Sequence, residues 1–139
     1  LLDVTKEVEK LIMKFQPQII LTHFSGDVNI DHQKTHESVL TACRPQNKYS
    51  VRKILCFEIP SSTEWQFELN KVTFAPNYFV DISDVLEKKL EALNFYDKEM
   101  REWPHPRSIK GITYLSNWRG ATIGVNAAEA FMLARYIDK

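Results

Sequence analysis

The chain has 139 residues, of which 44% are hydrophobic and 12% aromatic, and its 18 basic residues balance 18 acidic ones. This composition is typical of a single folded domain and excludes an intrinsically disordered chain. The formal net charge of zero argues against a general nucleic-acid surface or a polybasic membrane patch. We therefore expect no nucleic-acid partner.

No apolar run approaches the roughly 20 residues that span a bilayer, so we expect no membrane span. No signal peptide is visible in the sequence. Cys43 falls in a predicted helix and Cys56 in a predicted strand, where buried free thiols are common. Together these features favour a cytoplasmic location.

Apolar residues recur at helical spacing in four segments, and shorter apolar runs lie between them. The helical spacing predicts helices over residues 2–15, 31–42, 83–95 and 109–118. The shorter runs predict strands over residues 18–23, 51–59, 77–82 and 127–136. Because strands alternate with helices, the predicted fold class is α/β.

Some of these elements carry finer expectations. Residues 18–23 are continuously apolar, which is typical of a strand covered on both faces in a parallel sheet. Ser83 is expected to cap the third helix, and residues 97–102 are expected to continue it. Gly120 is expected to end the fourth helix. Residues 60–76 are rich in Pro, Ser and Thr and predict a long excursion between strands.

The stretch from Thr22 to His36 holds the densest group of polar side chains, and it follows a predicted strand. In open α/β sheets, ligands bind beyond the carboxyl ends of the strands. The candidate metal ligands are His23, Asp27, Asp31, His32 and His36. Catalytic zinc usually has three protein ligands and takes imidazole readily. The spacing of His32 and His36 places them on one helix face, which fits either a metal site or a solvated surface.

A calcium loop is the other metal site that this stretch suggests. Asp27, Asn29 and Asp31 have the spacing of the first, third and fifth ligands of an EF-hand. The glycine that such a loop needs at its sixth position is His32, and its bidentate glutamate at the twelfth is Ser38. These two departures exclude an EF-hand.

A second candidate for chemistry is the segment around His105. This histidine lies between two prolines, and Arg107 follows it just ahead of a helix that Ser108 is expected to cap. A helix N-terminus attracts anions. His105 and Arg107 are therefore candidate contacts for an anion or oxyanion, with a rigid surface turn as the alternative.

Three segments together resemble a known family. Thr-His-Phe-Ser-Gly-Asp-Val-Asn-Ile-Asp-His at 22–32 resembles the second motif of the LmbE-like/PIG-L metal-dependent de-N-acetylases. Pro-His-Pro-Arg-Ser at 104–108 and Gly-Val-Asn-Ala-Ala-Glu-Ala-Phe at 124–131 resemble elements of one bacterial branch. The resemblance implies a Rossmann-like three-layer α/β sandwich with a mostly parallel sheet. Because the first helix and strand are only half of a βαβ unit, we expect the first strand or strands of that sheet to lie ahead of residue 1.

The resemblance also implies roles for the histidines. In that family, zinc is held by a His and an Asp of an N-terminal Ala-His-Pro-Asp-Asp-Glu motif and by the His of a later Asp-His pair. His32 is therefore the implied metal ligand, with Asp31 as its orienting neighbour. His36 is then expected to be a helix-face residue, and His23 is expected to form a wall of the pocket. The N-terminal motif, which also supplies the general base, is absent here, so residues 1–139 are expected to be the single C-terminal part of such a domain.

The resemblance suggests further residues for catalysis and substrate binding. Many members have a histidine where this chain has Asn29, which can donate a hydrogen bond to an oxyanion but cannot carry a proton. His105 is the implied source of the missing charge. Asp27 and Arg107 are the implied substrate contacts.

The implied activity is that of a zinc-dependent hydrolase that removes an acetyl group from an N-acetylated amino sugar or sugar conjugate. Zinc, or another divalent ion, would activate water and polarise the amide carbonyl. The family often forms homo-oligomers, so self-association is also expected. The alternative is a truncated or degenerate relative without catalysis that binds a sugar or supports an assembly. A doubly wound nucleotide binder is disfavoured because the chain has no Gly-x-Gly-x-x-Gly or Walker sequence.

Overall fold

The computed structural model describes residues 1–45, 51–68 and 71–138. These residues form four helices and four strands. In chain order they are α1 (Leu2–Phe15), β1 (Ile19–His23), α2 (Ile30–Ala42), β2 (Lys53–Phe57), β3 (Tyr78–Asp81), α3 (Leu86–Leu93), α4 (Ile109–Ile123) and β4 (Ala128–Tyr136). The predicted α/β class is confirmed, and every predicted helix and strand is present; α1 has the predicted ends and the other elements have shifted ends. None of the described helices has the length and apolar character that crossing a membrane requires.

The chain divides into two compact units, which are described one at a time. The first unit comprises residues 1–77 and 131–139, and the second comprises residues 78–130. The expectation of a single domain over residues 1–139 stays a prediction.

The core of the first unit lies between its two helices and the sheet. The amphipathic helix α1 packs on α2, and α2 packs on β1. The buried side chains of this core are Ile12, Val39, Ala42, Cys43, Val51 and Ile54, with Val8 and Ile20 packed against them. Cys43 and Cys56 are both buried free thiols, as predicted.

The strands form one sheet in the order β1-β2-β4-β3. β1 and β2 are parallel and pair from Ile19 with Lys53 to His23 with Phe57. β4 runs antiparallel to β2. It is antiparallel to β3 as well, because the bonds Asn77 N–H to Phe131 O and Ile82 N–H to Ala127 O connect the two segments in opposite directions. The prediction of a mostly parallel sheet is therefore wrong, since an apolar run indicates burial but not strand direction.

β1 lies at one edge of this sheet, and its two faces differ. Ile20 packs on the core and Thr22 is buried, whereas Ile19 and Leu21 on the opposite face are 53% and 55% exposed. The expectation that this strand is covered on both faces is not met within the described residues. A continuous apolar run made the two faces indistinguishable in the sequence.

In the second unit, α3 packs on α4 and α4 packs on β3. Ser83 does not cap α3, which begins later, with Val85 at its N-cap. Instead the amide and hydroxyl of Ser83 both donate to Asp81 Oδ1, at 2.9 and 2.6 Å, and these bonds lower the pKa of Asp81. The prediction failed because Ser83 joins this local turn instead.

Two other boundaries in the second unit differ from prediction. Residues 97–102 form turns and irregular chain rather than more helix. Gly120 does not end α4, which continues to Ile123 and ends at Gly124 in the left-handed conformation, with φ of 79°. Gly120 instead allows a close approach, because a Cβ there would lie 2.7 Å from the Ala127 backbone. The excursion at 60–76 is present, without helix or strand in its described residues.

Candidate functional site

Two loops of the first unit meet at the carboxyl ends of β1 and β2. Because these neighbouring strands are parallel, the loops that follow them leave the same edge of the sheet. Val28 N–H in the first loop donates to Ser62 O in the second at 3.2 Å. This contact brings a segment of the predicted excursion against the stretch that holds Asp27 and His32.

Asp27 is the polar centre of the first loop, and it is 0% exposed. Its Oδ2 accepts a hydrogen bond from His32 Nδ1 at 2.8 Å, and its Oδ1 accepts one from Thr63 Oγ1 at 2.5 Å. The Gln33 side-chain amide donates to the Asp27 backbone oxygen at 2.5 Å. A buried carboxylate with a donor on each oxygen is well satisfied.

The contact with Asp27 determines which nitrogen of His32 is available. A carboxylate only accepts hydrogen bonds, so Nδ1 of His32 donates, and in the neutral ring Nε2 keeps its lone pair. Ser62 Oγ lies 3.4 Å from the same Nδ1. A metal-binding histidine usually has this arrangement, with its second nitrogen donating to a carboxylate that fixes the ring.

The structure places the predicted neighbours of His32 differently. The carboxylate that holds His32 is Asp27 and not Asp31, which is exposed in the first turn of α2. Asp27 is also too deeply buried, and too fully bonded, for the substrate contact that was predicted. Asn29 is the N-cap of α2, and its Oδ1 accepts from Asp31 N–H at 2.8 Å. That cap occupies its carbonyl oxygen and not the amide NH₂ group that the predicted oxyanion contact needs.

His23 lies directly against His32, as a wall of the same site. The two imidazole rings stack with centroids 4.2 Å apart, and the Phe57 ring lies 4.9 Å from His23 on another side. Burial and the neighbouring His32 lower the pKa of His23, while Asp27 opposes them. His23 Nδ1 is buried and has no hydrogen-bond partner among the described contacts.

His36 is not a solvated helix-face residue. Its Nδ1 donates to the backbone oxygen of His23 at 2.9 Å and lies 3.7 Å from Cys56 Sγ, so the ring is held against β1 and β2. Burial raises the pKa of the Cys56 thiol to about 11. The sulfur is therefore protonated at neutral pH in spite of the nearby imidazole.

Gly26 allows the backbone of the first loop to lie close to Phe24 and Val72. A Cβ at this position would lie 2.5 Å from both the Phe24 ring and the backbone oxygen of Val72. Any larger residue would have to displace one of them. The loop that carries Asp27 is thus fixed by packing as well as by hydrogen bonds.

His105 and Arg107 lie in the second unit, in the turn before α4. His105 Nδ1 accepts from Arg107 N–H at 3.0 Å, and Arg107 Nη1 donates to Glu99 Oε2 at 2.5 Å. Ser108 caps α4 as predicted, with its Oγ accepting from Gly111 N–H at 2.9 Å. The geometry is that of an ordered turn, and the predicted anion contacts of His105 and Arg107 stay predictions.

The described residues do not form a complete metal site of their own. Across residues 1–45, 51–68 and 71–138, no group of three or more His, Cys, Asp or Glu side chains is arranged to hold an ion. The orientation of His32 fits one ligand, whereas a catalytic zinc ion takes three from the protein. The fit to the predicted zinc is therefore partial.

Sequence reasoning missed Ser62 and Thr63, which complete the surroundings of Asp27. They were assigned only to a long excursion. The available signal was their position: two hydroxyl residues closely follow the strand that pairs with β1. If the strands that precede residues 22–36 and 60–63 had been predicted to pair in parallel, these residues would have been placed at the same edge of the sheet.

Solved structures share this fold. The conserved protein TT1542 from Thermus thermophilus superposes with a TM-score of 0.76 at 15% identity, covering 99% of this chain and 60% of its own. GalB, the 4-carboxy-2-hydroxymuconate hydratase from Pseudomonas putida KT2440, superposes with a TM-score of 0.74 at 18% identity, covering 99% of this chain and 60% of its own. The N,N′-diacetylchitobiose deacetylase from Pyrococcus horikoshii superposes with a TM-score of 0.71 at 21% identity, covering 96% of this chain and 51% of its own.

These similarities establish the Rossmann-like α/β fold, which the chain shares with enzymes of at least two kinds. The chain spans about 51 to 60% of the length of those structures. No family model matches the chain, and neither does any curated protein sequence.

Proposed function

We propose that the protein takes part in metal-dependent hydrolysis of an N-acetylated amino sugar or sugar conjugate. In this proposal His32 is one metal ligand and acts through Nε2. The observation that carries the proposal is the contact between His32 Nδ1 and the fully buried Asp27, at 2.8 Å. The shared fold with a chitobiose deacetylase supports it.

The buried surroundings explain why this imidazole suits the role. Asp27, which also accepts a hydrogen bond from Thr63, holds the Nδ1 side of His32, while His23 covers one ring face. The side chain of His32 is 19% exposed, so the ring retains some contact with solvent. A fixed ring loses little conformational entropy when a ligand binds to it.

Asp27 has a different role in this proposal from the one that the family resemblance implied. The resemblance implied that Asp27 contacts the substrate and that Asp31 orients His32. In this proposal Asp27 positions His32 and does not contact the substrate. Asn29 remains as a proposed hydrogen-bond donor to an oxyanion. The oxyanion contact of His105 and the substrate contact of Arg107, both in the second unit, stay predictions.

Metal content after dialysis, measured on a protein that also carries the expected N-terminal motif, tests the ligand role without an activity assay. We expect His32→Ala to lose bound zinc, and Asp27→Asn to weaken zinc binding by about 10–100-fold because it weakens support for the ring. His36→Ala is the matched control, since His36 faces the His23 backbone and Cys56. Equal zinc content in the parent protein and in His32→Ala would refute the proposed ligand.

The reaction itself needs a separate assay. Acetate release from N,N′-diacetylchitobiose and from N-acetylglucosamine should depend on added zinc and on His32. A hydratase such as GalB adds water to a different substrate class, so a carboxylated enol substrate belongs in the same screen. Turnover of that substrate alone would show that the fold serves hydration here and that the deacetylase proposal is incorrect.

A further inference from the structure

Two aromatic rings of the second unit form an open corner on its surface. Trp103, in the turn before α4, and Tyr114, on α4, lie with ring centroids 5.5 Å apart and planes at 86° to each other. Trp103 is 49% exposed and Tyr114 is 53% exposed. In this edge-to-face arrangement the two rings contact each other, and about half of each side chain remains in solvent.

A cation already lies at this corner. Lys110 Nζ is 5.2 Å from the Trp103 centroid and 5.8 Å from the Tyr114 centroid. Both distances are within the range of a cation–π interaction. Lys110 is four residues before Tyr114 on α4, so both side chains project from the same helix face.

The position of Lys110 weakens its cation–π interaction with the two rings. It lies in the first turn of α4, where the positive end of the helix dipole disfavours a cation. Its ammonium is also strongly hydrated. A more weakly hydrated cation loses less free energy on leaving water, so it can compete for the same two rings.

We infer that Trp103 and Tyr114 form a binding site for a small organic ammonium ion, which displaces Lys110. The ligand class is a quaternary or methylated amine, because perpendicular aromatic rings recognise such groups through their diffuse positive charge. The inference does not depend on the proposed function, because that proposal rests on the contact between His32 and Asp27 in the first unit. The alternative is that Lys110 only covers two exposed rings, in which case removing it opens no site.

Choline is the probe for this site, and 3,3-dimethyl-1-butanol is its neutral isostere. We expect choline to bind Lys110→Ala about tenfold more tightly than it binds the unmodified protein, because the competing ammonium is gone. The neutral isostere should bind that variant at least about tenfold more weakly than choline. Titration followed by NMR of the choline methyl groups measures both ratios.

Two further variants test whether Tyr114 is required. Adding Tyr114→Ala to Lys110→Ala should remove choline binding, whereas adding Trp118→Ala should leave it unchanged. Trp118 is the matched control, because it is also exposed and lies one turn further along α4. Equal binding of choline and its isostere would overturn the inference, and so would the absence of choline binding to a folded Lys110→Ala variant.

Discussion

The loop between β1 and α2 and the turn before α4 each hold a histidine, but they fix it in different ways. Asp27 is fully buried and connects His32 to Thr63, which is 36 residues further along the chain than Asp27. His105 makes a contact with Arg107, only two residues away. The first arrangement forms only when two strands are paired, whereas the second contact needs only a local turn.

This difference determines how sensitive each region is to substitution. Removing a buried, bonded carboxylate leaves its partners without an acceptor, and that penalty is large. A surface ion pair such as the one between Arg107 and Glu99 is partly compensated by water. Substitutions in the first loop should therefore be costly, and substitutions in the second should be mild.

The largest effect is expected for Asp27→Ala. It removes the acceptor for His32 and Thr63 inside the fold, so we expect the free energy of unfolding to fall by about 3 kcal/mol. Asp31→Ala, at an exposed position in the first turn of α2, should cost less than about 1 kcal/mol. Urea unfolding of both variants makes the comparison, and equal costs would show that Asp27 is not the centre of the loop.

The next effect concerns the Cys56 thiol. Because its pKa is raised from 9.0 to about 11 in the folded chain, its thiolate fraction at pH 8 should be about a hundredfold lower than in an unfolded chain. Alkylation by iodoacetamide should be slowed at least that much. The contribution of this thiol to stability is fully present below pH 9 and is lost as pH rises through 11. Rapid alkylation of folded protein at pH 8 would mean that His36 activates the sulfur.

Thr63→Val tests the connection between the two loops of the first unit. The hydroxyl donates to Asp27 and also accepts from Ile59 N–H at 2.8 Å. We expect the free energy of unfolding to fall by about 1–2 kcal/mol, because both partners lose a bond. Thr63→Ser, which keeps the hydroxyl, should recover most of this loss in the same urea titration.

The smallest effect is expected for Glu99→Ala. Its carboxylate is well exposed and pairs with Arg107, so the variant should lose less than about 1 kcal/mol. High salt should reduce that difference further, since exposed charges are screened. A loss as large as that of Asp27→Ala would remove the contrast between the two regions.

Elements whose sequence pattern is local were predicted well. The helical spacing over residues 2–15 and the Ser108 cap of α4 each depend on residues that are close together along the chain, and both the helix α1 and the cap are present. Element ends were less predictable where a polar side chain had another partner, as Ser83 had in Asp81. In such cases local propensity competes with a second hydrogen bond of similar strength.

Most contacts between distant segments could not be predicted from the sequence. The direction of β4 depends on how its strand returns to β2, and an apolar run carries no information about that. The choice of Asp27 over Asp31 depends on which carboxylate faces inward from the loop. The adjacent Asp31 matched the family pattern, but the first turn of α2 leaves it exposed to solvent.

The exposed face of β1 has a consequence for handling the protein. Among the described residues of the 139-residue chain, β1 is an edge strand that carries Ile19 and Leu21 toward solvent, so it offers backbone and apolar side chains to a strand of another molecule. We therefore expect light scattering from concentrated samples to increase with time. Leu21→Lys should suppress that increase, because a charge on an edge strand opposes strand addition, and it thereby offers a route to more tractable samples.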